Sequence, residues 1–340
     1  MKKLLFLLVL LSCYSCWLDP FHDKKDGEFL KDVVPLTEFN SEYDDYNSNL
    51  ASNKYGEIDL TFSSKRIKKD FLNLVNFQTE FKYDKRLSLQ KFVHRNQSDV
   101  FDDISGPTEG YISRANGDFN VYGPKSLSFM YDLVSRGNVT GAPAKGSMFF
   151  YADDSEGNME IKYMINNEKG IEGPFKFDLL NSPKDDGYPS FSFDGDKIYF
   201  SSNRDGNFDI YELSTPPVPQ TESPTVETLI HPKTYTLRKM EEFSSPQDDK
   251  TPYFQDNTMV FVSDRPGGKG GFDIYYSKLE NGKWSQPVNA GDRINTSNNE
   301  YRPILPNLNN FSYNLMIFSS DRPGGKGGFD LYMTGLTKKW

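Results

Sequence analysis

The sequence predicts an all-β protein, a six-bladed β-propeller of four-stranded antiparallel blades whose ring is closed by an N-terminal strand. The first observation is a repeat near the end of the chain: Ser263–Tyr275 reads SDRPGGKGGFDIY and Ser320–Tyr332 reads SDRPGGKGGFDLY. Such a unit cannot bury its apolar surface alone and is arrayed against its copies. The second observation is composition, because 27 Phe and 20 Tyr are separated by clusters of turn-forming residues, which is typical of short strands.

The clearest single unit, Tyr188–Leu213, shows what one blade contains. Asp194-Gly195 is a strong two-residue hairpin signal, and a second turn follows at Asp205-Gly206-Asn207. These turns delimit three strands at residues 190–193, 197–202 and 208–213. A more polar fourth strand should follow each unit, as at residues 283–288.

Weaker copies of this unit lie upstream, within Met148–Met164, Tyr111–Tyr122 and Asp59–Leu74. With the copies that begin near residues 188, 252 and 303 they make six, at about 50 residues each. Six four-stranded units at this spacing favour a propeller, which leaves few sheet edges exposed. Residues 31–39 resemble an isolated fourth strand, and we expect them to pair with the third strand of the sixth blade and cover its edge.

The repeats resemble the WD40-like PD40 repeats of TolB-type β-propellers. The resemblance rests on P-S-F-S-F-D-G-D-K-I-Y-F-S-S-N-R-D-G-N-F-D-I-Y at residues 189–211 and is specific for residues 185–335. The G-G-K-G-G-F-D-I-Y version is similar to the propeller segments of OmpA-associated outer-membrane proteins. The resemblance implies a docking platform for other envelope proteins.

The N-terminus reads as a lipoprotein export signal. Lys2 and Lys3 precede the apolar run Leu4–Leu11, which is too short to span a bilayer. Leu10-Leu11-Ser12-Cys13 resembles a lipobox, and Cys16 is a second candidate for lipidation. The predicted organisation is a signal peptide over residues 1–15, cleaved before Cys13 or Cys16, a polar tether over 16–30 and the propeller over 31–340.

Charge and cysteine content exclude several functions. The net charge of −9 becomes −11 when Lys2 and Lys3 leave with the signal peptide, and such an acidic chain is unsuited to nucleic acid. The chain has only two cysteines, both at the lipidation site, so disulfides and thiolate chemistry are not expected downstream. A proline-rich insertion at residues 214–247 should lie outside the sheets, as a variable surface loop or as an arm that contacts a partner.

Each of the last three units carries an arginine and an aspartate on either side of a turn. We expect these to be structural pairs, because a functional site is normally needed once and these recur in every clear blade. The predicted pairs are Arg204–Asp209, Arg265–Asp273 and Arg322–Asp330. A candidate partner-binding face combines acids of the connectors between blades with residues of the glycine-rich turns. Its members are Asp186, Asp249, Glu300, Tyr301, Lys269 and Lys326.

Signals for a cofactor or for catalysis are weak. Asp205-Gly206-Asn207 and Asp153–Asn158 are loops that could hold calcium, but turn chemistry explains the same residues without an ion. The G-G-K-G-G turns lack the Ser or Thr of a phosphate-binding loop. His22, His94 and His231 belong to no recognisable nucleophile–base arrangement. We therefore expect no cofactor beyond the lipid and no metal, and we expect the protein not to be an enzyme.

The function predicted from these features is that of an outer-membrane lipoprotein, lipid-anchored at the periplasmic face or the cell surface. It would act as an interaction scaffold or accessory subunit of an envelope complex for secretion, assembly or uptake, with integral or lipidated membrane proteins as partners. The first alternative is a receptor for a glycan or peptide in the central funnel, which predicts an aromatic-lined pocket at one end of the channel. The second is a hydrolase that uses paired carboxylates.

Overall fold

The computed structural model describes residues 29–52, 58–84, 89–94, 107–128, 147–167, 169–192, 195–216, 226–306 and 313–337. Within them five antiparallel sheets follow one another along the chain and form the blades of a β-propeller. The prediction of six blades is therefore wrong, while the all-β propeller class stands. Cys13, Cys16, His22 and most of the predicted tether lie outside the described residues.

The elements are numbered in chain order. The N-terminal strand is β1 (Val34–Pro35). Blade 1 contains β2 (Asp45–Ser52), β3 (Ile58–Lys68), β4 (Phe71–Asp84) and β5 (Leu89–His94); α1 (Pro107–Ala115) follows. Blade 2 contains β6 (Val121–Ser128), β7 (Ser147–Asp153), β8 (Glu160–Asn167) and β9 (Gly170–Lys176). Blade 3 contains β10 (Asp186–Phe191), β11 (Lys197–Ser202) and β12 (Asp209–Ser214), then α2 (Val226–Ile230) and the fourth strand β13 (Thr236–Lys239).

Blade 4 contains β14 (Asp249–Gln255), β15 (Thr258–Ser263) and β16 (Asp273–Glu280), whose outer edge pairs with both β17 (Lys283–Trp284) and β18 (Val288–Asn289). Blade 5 contains β19 (Glu300–Ile304), β20 (Tyr313–Ser320) and β21 (Asp330–Thr337), with β1 as its fourth strand. In each blade the strand order from the inside outwards follows the chain, apart from β1.

The repeat copy at Tyr111–Tyr122, which was predicted to form a blade, is not a separate blade. Its first half is helical: α1 packs on β4 of blade 1 and β9 of blade 2. Its second half is β6, the first strand of blade 2. The Tyr111 ring stacks on Phe149 with centroids 5.2 Å apart, so contacts with the neighbouring blades override the local strand-like pattern.

The N-terminal segment lies against blade 5. β1 pairs antiparallel with β21 in the register Val34↔Met333, so the predicted pairing with the third strand of the last blade is found, at two residues. Leu36 N donates to Leu331 O at 2.8 Å. β2 of blade 1 in turn contacts β19, β20 and β21 of blade 5.

A bulge recurs in all five inner strands. The register of each inner strand shifts after its second residue, and its third residue has a positive φ. These third residues are Asn47, Gly123, Tyr188, Thr251 and Arg302. A positive φ is uncommon outside glycine, so the recurrence marks a conformation imposed by the fold. Proline follows the bulge in four of the five strands.

The core lies between the blades. The second strands are buried along nearly their whole length, as in β11 and β15, because their two faces pack against neighbouring blades.

The insertion predicted at residues 214–247 does not lie wholly outside the sheets. β13 lies inside the ladder and pairs Leu237 with Leu213, and α2 buries Leu229 and Ile230 in the core of blades 2 and 3. Residues 217–225 lie outside the described chain.

Candidate functional site

The inner strands meet at the propeller axis. Contacts between blades that are not neighbours show this directly: Tyr301 Oη donates to Tyr188 Oη at 3.4 Å, joining blades 5 and 3. Lys125 Nζ lies 3.4 Å from Tyr253 Oη and 4.6 Å from the centroid of that ring, joining blades 2 and 4. At these levels side chains from facing blades fill the centre.

Aromatic rings line the end of the axis at which the inner strands begin. We call Tyr46, Tyr122, Tyr188, Phe272, Tyr301 and Phe329 the axial aromatic cluster. The Tyr301 ring lies at its centre, with centroid distances of 5.6 Å to Phe272, 6.2 Å to Tyr188 and 6.3 Å to Phe329. Tyr188 is buried, whereas the other five are half-buried. The cluster therefore forms a floor that is open to solvent on one side.

A lysine and several carboxylates surround this floor. Lys250 Nζ lies 4.8 Å from the centroid of the Phe272 ring and 2.8 Å from Asp248 Oδ2. The Tyr122 hydroxyl donates to Asp154 Oδ2 at 3.3 Å. Burial is the main cause that raises the pKa values of Tyr46 and Tyr122 above the usual phenol value, and nearby acids add to it. These hydroxyls therefore stay protonated at neutral pH and can donate or accept hydrogen bonds.

The sequence places these rings by position within each blade. Tyr46, Tyr122 and Tyr301 are the second residues of β2, β6 and β19, directly before the bulge. Phe272 and Phe329 are the residues just before the third strands β16 and β21. Aromatic surface with a few polar groups is the usual lining of a ligand site. Of this cluster only Tyr301 was singled out from the sequence.

The predicted arginine–aspartate pairs are wrong. Each arginine instead bonds the acid that opens the inner strand of its own blade: Arg204 Nη2 lies 2.8 Å from Asp186 Oδ1. The corresponding distances are 2.5 Å for Arg265–Asp249 and 3.0 Å for Arg322–Glu300. The pairing arises because the end of the second strand lies opposite the start of the inner strand, as in Asp186↔Ser202.

The sequence of blade 2 carries a signal that identifies the true pairing. Where the other blades have the inner-strand acid, blade 2 has Val121, and where blades 3 to 5 have the arginine, it has Ser155. Both partners are therefore missing from the same blade. Blade 1 has both partners of the ion pair, and Arg66 Nη2 lies 2.8 Å from Asp45 Oδ1.

The aspartates of the predicted pairs have other partners. Asp209 pairs with Lys239 Nζ at 2.8 Å. Asp273 accepts from the backbone N–H of Lys269 at 2.6 Å, and Asp330 from that of Lys326 at 2.7 Å. These last two carboxylates therefore close the G-G-K-G-G turns. All three aspartates thus have structural contacts within the chain, although not with the predicted arginines.

Half of the candidate partner face is inaccessible. Asp186, Asp249 and Glu300 have no exposed surface, so they cannot contact a partner directly. The side chain of Lys269 is exposed and pairs with Asp292 at 2.6 Å. Lys326 Nζ donates to Thr37 O at 2.8 Å, within the same chain. Tyr301 belongs to the axial aromatic cluster.

The glycines of the G-G-K-G-G turns allow each turn to pack closely against the next blade. A Cβ on Gly270 would lie 2.1 Å from Asn298 O, and one on Gly327 would lie 2.1 Å from Tyr43 O. Each turn therefore presses on the connector of the next blade. This close approach requires glycine and accounts for the near-identity of the two repeats.

The described residues contain no group of three or more His, Cys, Asp or Glu side chains placed to hold a metal ion. In the proposed calcium loops, Asp153 is paired with Lys162 at 2.8 Å and Asp205 accepts from the Tyr211 hydroxyl at 2.6 Å. His231 is exposed, and the side chains of His22 and His94 lie outside the described part. No helix in the described ranges is long and apolar enough to cross a bilayer.

No protein-family model matches the sequence, and no curated protein matches it. Several solved structures are similar to this chain in fold. The endo-arabinase of Bacteroides thetaiotaomicron VPI-5482 is 10% identical with a TM-score of 0.50, over 92% of this chain and 99% of that one. The GH62 α-L-arabinofuranosidase catalytic domain of Coprinopsis cinerea is 11% identical with a TM-score of 0.49, over 92% and 98%. TolB of Acinetobacter baumannii is 14% identical with a TM-score of 0.31, over 85% and 68%.

At these identities the likeness shows the β-propeller fold alone. It nevertheless corrects one expectation. The endo-arabinase is an enzyme with this fold, so the expectation that the protein is not an enzyme finds no support in its fold.

Proposed function

We propose that this protein is a lipid-anchored envelope protein whose propeller binds a glycan at the axial aromatic cluster. The observation that carries the proposal is the half-buried floor formed by Tyr46, Tyr122, Phe272, Tyr301 and Phe329. A receptor of this kind was expected to have an aromatic-lined pocket at one end of the channel, and the presence of an aromatic floor at one end of the axis supports the proposal.

The chemistry of the floor suits a sugar. Ring faces offer flat apolar area to the C–H faces of a pyranose or furanose at low entropy cost. The rim supplies hydroxyl-binding groups beside the rings: the Tyr122 hydroxyl with Asp154 at 3.3 Å, and Lys250 with Asp248 at 2.8 Å. Carboxylates and an ammonium together can accept from and donate to sugar hydroxyls.

The binding proposal is tested with the full chain in detergent on a glycan array, followed by titration of the best glycan. Tyr46→Ala and Tyr122→Ala should each lower affinity about fivefold or more, since loss of one stacking ring costs about 1 kcal/mol or more. Tyr235→Ala is the control, because Tyr235 is an exposed aromatic near the outer strand β13. Absence of glycan binding, or equal affinity in all variants, contradicts the proposal, as does binding of peptides alone.

The anchor and its location rest on the sequence. Leu10-Leu11-Ser12-Cys13 and the following Cys16 support lipidation, and the PD40-like repeats support an envelope location. Metabolic labelling with a palmitate analogue should mark the protein. One of the two single substitutions, Cys13→Ser or Cys16→Ser, should abolish the label. Label that survives both substitutions contradicts the anchor.

A second candidate function, accessory subunit of an envelope complex, is favoured by the exposed tips of the two identical turns. Gly267 and Lys269 in blade 4 and Gly324 and Lys326 in blade 5 are all exposed. Charge reversal at Lys269 should then remove a co-purifying membrane protein, while the aromatic variants should retain it. Retention of that protein by Lys269→Glu contradicts this second candidate.

A further inference from the structure

The bulge of each inner strand places one residue at the same level of the axis. Arg302 occupies this position in blade 5, and it has no exposed surface. Its guanidinium lies over the Tyr188 ring, with Cζ 5.6 Å from the centroid, and Nη1 donates to Pro252 O at the long distance of 3.4 Å. Nε and Nη2 have no hydrogen-bond partner among the described residues.

The charge of Arg302 is not balanced by the described part of the chain. Arg302 forms no ion pair there, and the groups that act on its pKa are Tyr188, Tyr253 and Tyr301. Burial lowers the pKa of Arg302 to about 10, so the guanidinium stays protonated at neutral pH. Burial also raises the pKa values of Tyr188 and Tyr301, so these phenols stay neutral. An isolated buried charge is strongly unfavourable.

Two neighbours at the same level are also unsatisfied. Asn47 in blade 1 has neither side-chain atom paired, and Thr251 in blade 4 has an unpaired hydroxyl. Both are fully buried. Blade 5 lies between blade 4 and blade 1, so the three side chains occupy adjacent inner strands on one side of the axis. A buried polar atom without a partner in a native fold indicates a water or ion that completes it.

We propose that the propeller axis binds a small monovalent anion beside Arg302, with further hydrogen bonds from Asn47 and Thr251. The guanidinium supplies the unpaired N–H groups of Nε and Nη2, the amide supplies its NH₂ and the threonine supplies its hydroxyl, so the free donors suit a halide or a small carboxylate such as formate. The anion balances the charge that the fold buries.

The test uses the full chain in detergent, with sodium gluconate as the reference salt because gluconate is too large for an enclosed site. Sodium chloride, bromide or formate replaces gluconate at constant ionic strength, and the melting temperature is recorded. The wild type should show a saturable rise with anion concentration, because a ligand that binds only the folded state stabilises it. Saturation by halides identifies an inorganic ion, and saturation by formate alone identifies a carboxylate.

Arg302→Met should lose the saturable response and, in gluconate, should melt at or above the wild-type temperature, because the uncompensated charge is gone. Arg293→Met is the control, since Arg293 is exposed, and it should respond as the wild type does. Equal responses in wild type and Arg302→Met overturn the proposal. If Arg302→Met does not fold, wild-type crystals soaked in bromide or formate decide. Anomalous density for bromide, or density shaped as formate, should lie within about 3.5 Å of the guanidinium, and water alone there overturns the proposal.

Discussion

The guanidinium of Arg302 lies over the ring of Tyr188, with Cζ 5.6 Å from the centroid, although the two residues belong to blades 5 and 3. A contact between blades that are not neighbours places both side chains at the propeller axis. Lys125 and Tyr253 make a second such contact, between blades 2 and 4. Side chains from facing blades therefore fill most of the centre at these levels, leaving room for no more than a small ion, and a ligand as large as a glycan has to bind above them, at the axial aromatic cluster.

The ion pairs inside each blade should be important for stability. Asp249→Ala removes the carboxylate that accepts from Arg265 Nη2 at 2.5 Å and from Ser245 N at 2.6 Å. It should lower the free energy of unfolding by roughly 3 kcal/mol or more, because the largely buried arginine keeps its charge without a carboxylate to balance it. Urea denaturation measures the change. Asp292→Ala, at an exposed pair, is the matched control and should cost well under 1 kcal/mol; equal costs would contradict the pairing described above.

Gly327 should tolerate no side chain. Its Cβ would lie 2.1 Å from Tyr43 O, so Gly327→Ala must displace the connector between blades 5 and 1, at about 1–3 kcal/mol or more. Gly267 has a φ of +93° and open space around its Cβ position. Gly267→Ala therefore carries backbone strain without a clash and should cost about 1 kcal/mol. Thermal melts of the two variants compare them, and a smaller effect at Gly327 than at Gly267 would be inconsistent with the packing.

An asparagine holds the third strand in four of the blades. In blade 4, Asn295 Oδ1 accepts from Ile274 N and Nδ2 donates to Ile274 O, both at 2.9 Å. Asn295→Leu leaves both buried backbone groups without these partners and should cost about 2 kcal/mol or more. Blade 3 has Ser244 at this position, bonded to Met240 O, so Ser244→Ala should be milder. The two variants are compared by urea denaturation, and a similar loss at both sites would argue against the asparagine role.

Tyr111 should make stability depend on alkaline pH. Burial raises the pKa of its phenol from 10.0 to about 12. Between these values the phenol is ionised in the unfolded chain and protonated in the fold. The folded state then binds more protons, and stability falls as pH rises. Below pH 10 the wild type should exceed Tyr111→Phe by about 1 kcal/mol, from the hydrogen bond to Ser147 O at 2.9 Å. This difference should shrink from pH 10 to 12; a constant difference in urea denaturation would refute the assignment.

Local signals placed the second and third strands of the clearest repeat within a residue of their observed bounds. Asp205-Gly206-Asn207 and the apolar residues on either side of it placed β11 at residues 197–202, as observed. The outer strand of blade 4 was also predicted from its polar sequence, within a residue of β17 and β18. These elements depend on turn chemistry and alternation, which are properties of short segments.

Features that depend on contacts between segments were predicted poorly. Residues 107–115 form a helix because they pack between two blades, which no local pattern shows. Arg204 is five residues from Asp209 but bonds Asp186, because the antiparallel register brings the start of β10 to the end of β11. The axial aromatic cluster and Arg302 depend on a bulge repeated in every inner strand, and a bulge is recognised only once the register is known.

Hydrogen exchange of the full chain, with and without the glycan that binds it best, tests the central claim most directly. If the ligand sits on the axial aromatic cluster, backbone amides of the inner strands β2, β6 and β19 and of the turns before β16 and β21 should gain protection. Amides of the outer strands β9 and β13 should be unchanged. Protection confined to the outer strands, with the inner strands unaffected, would contradict binding at the axis.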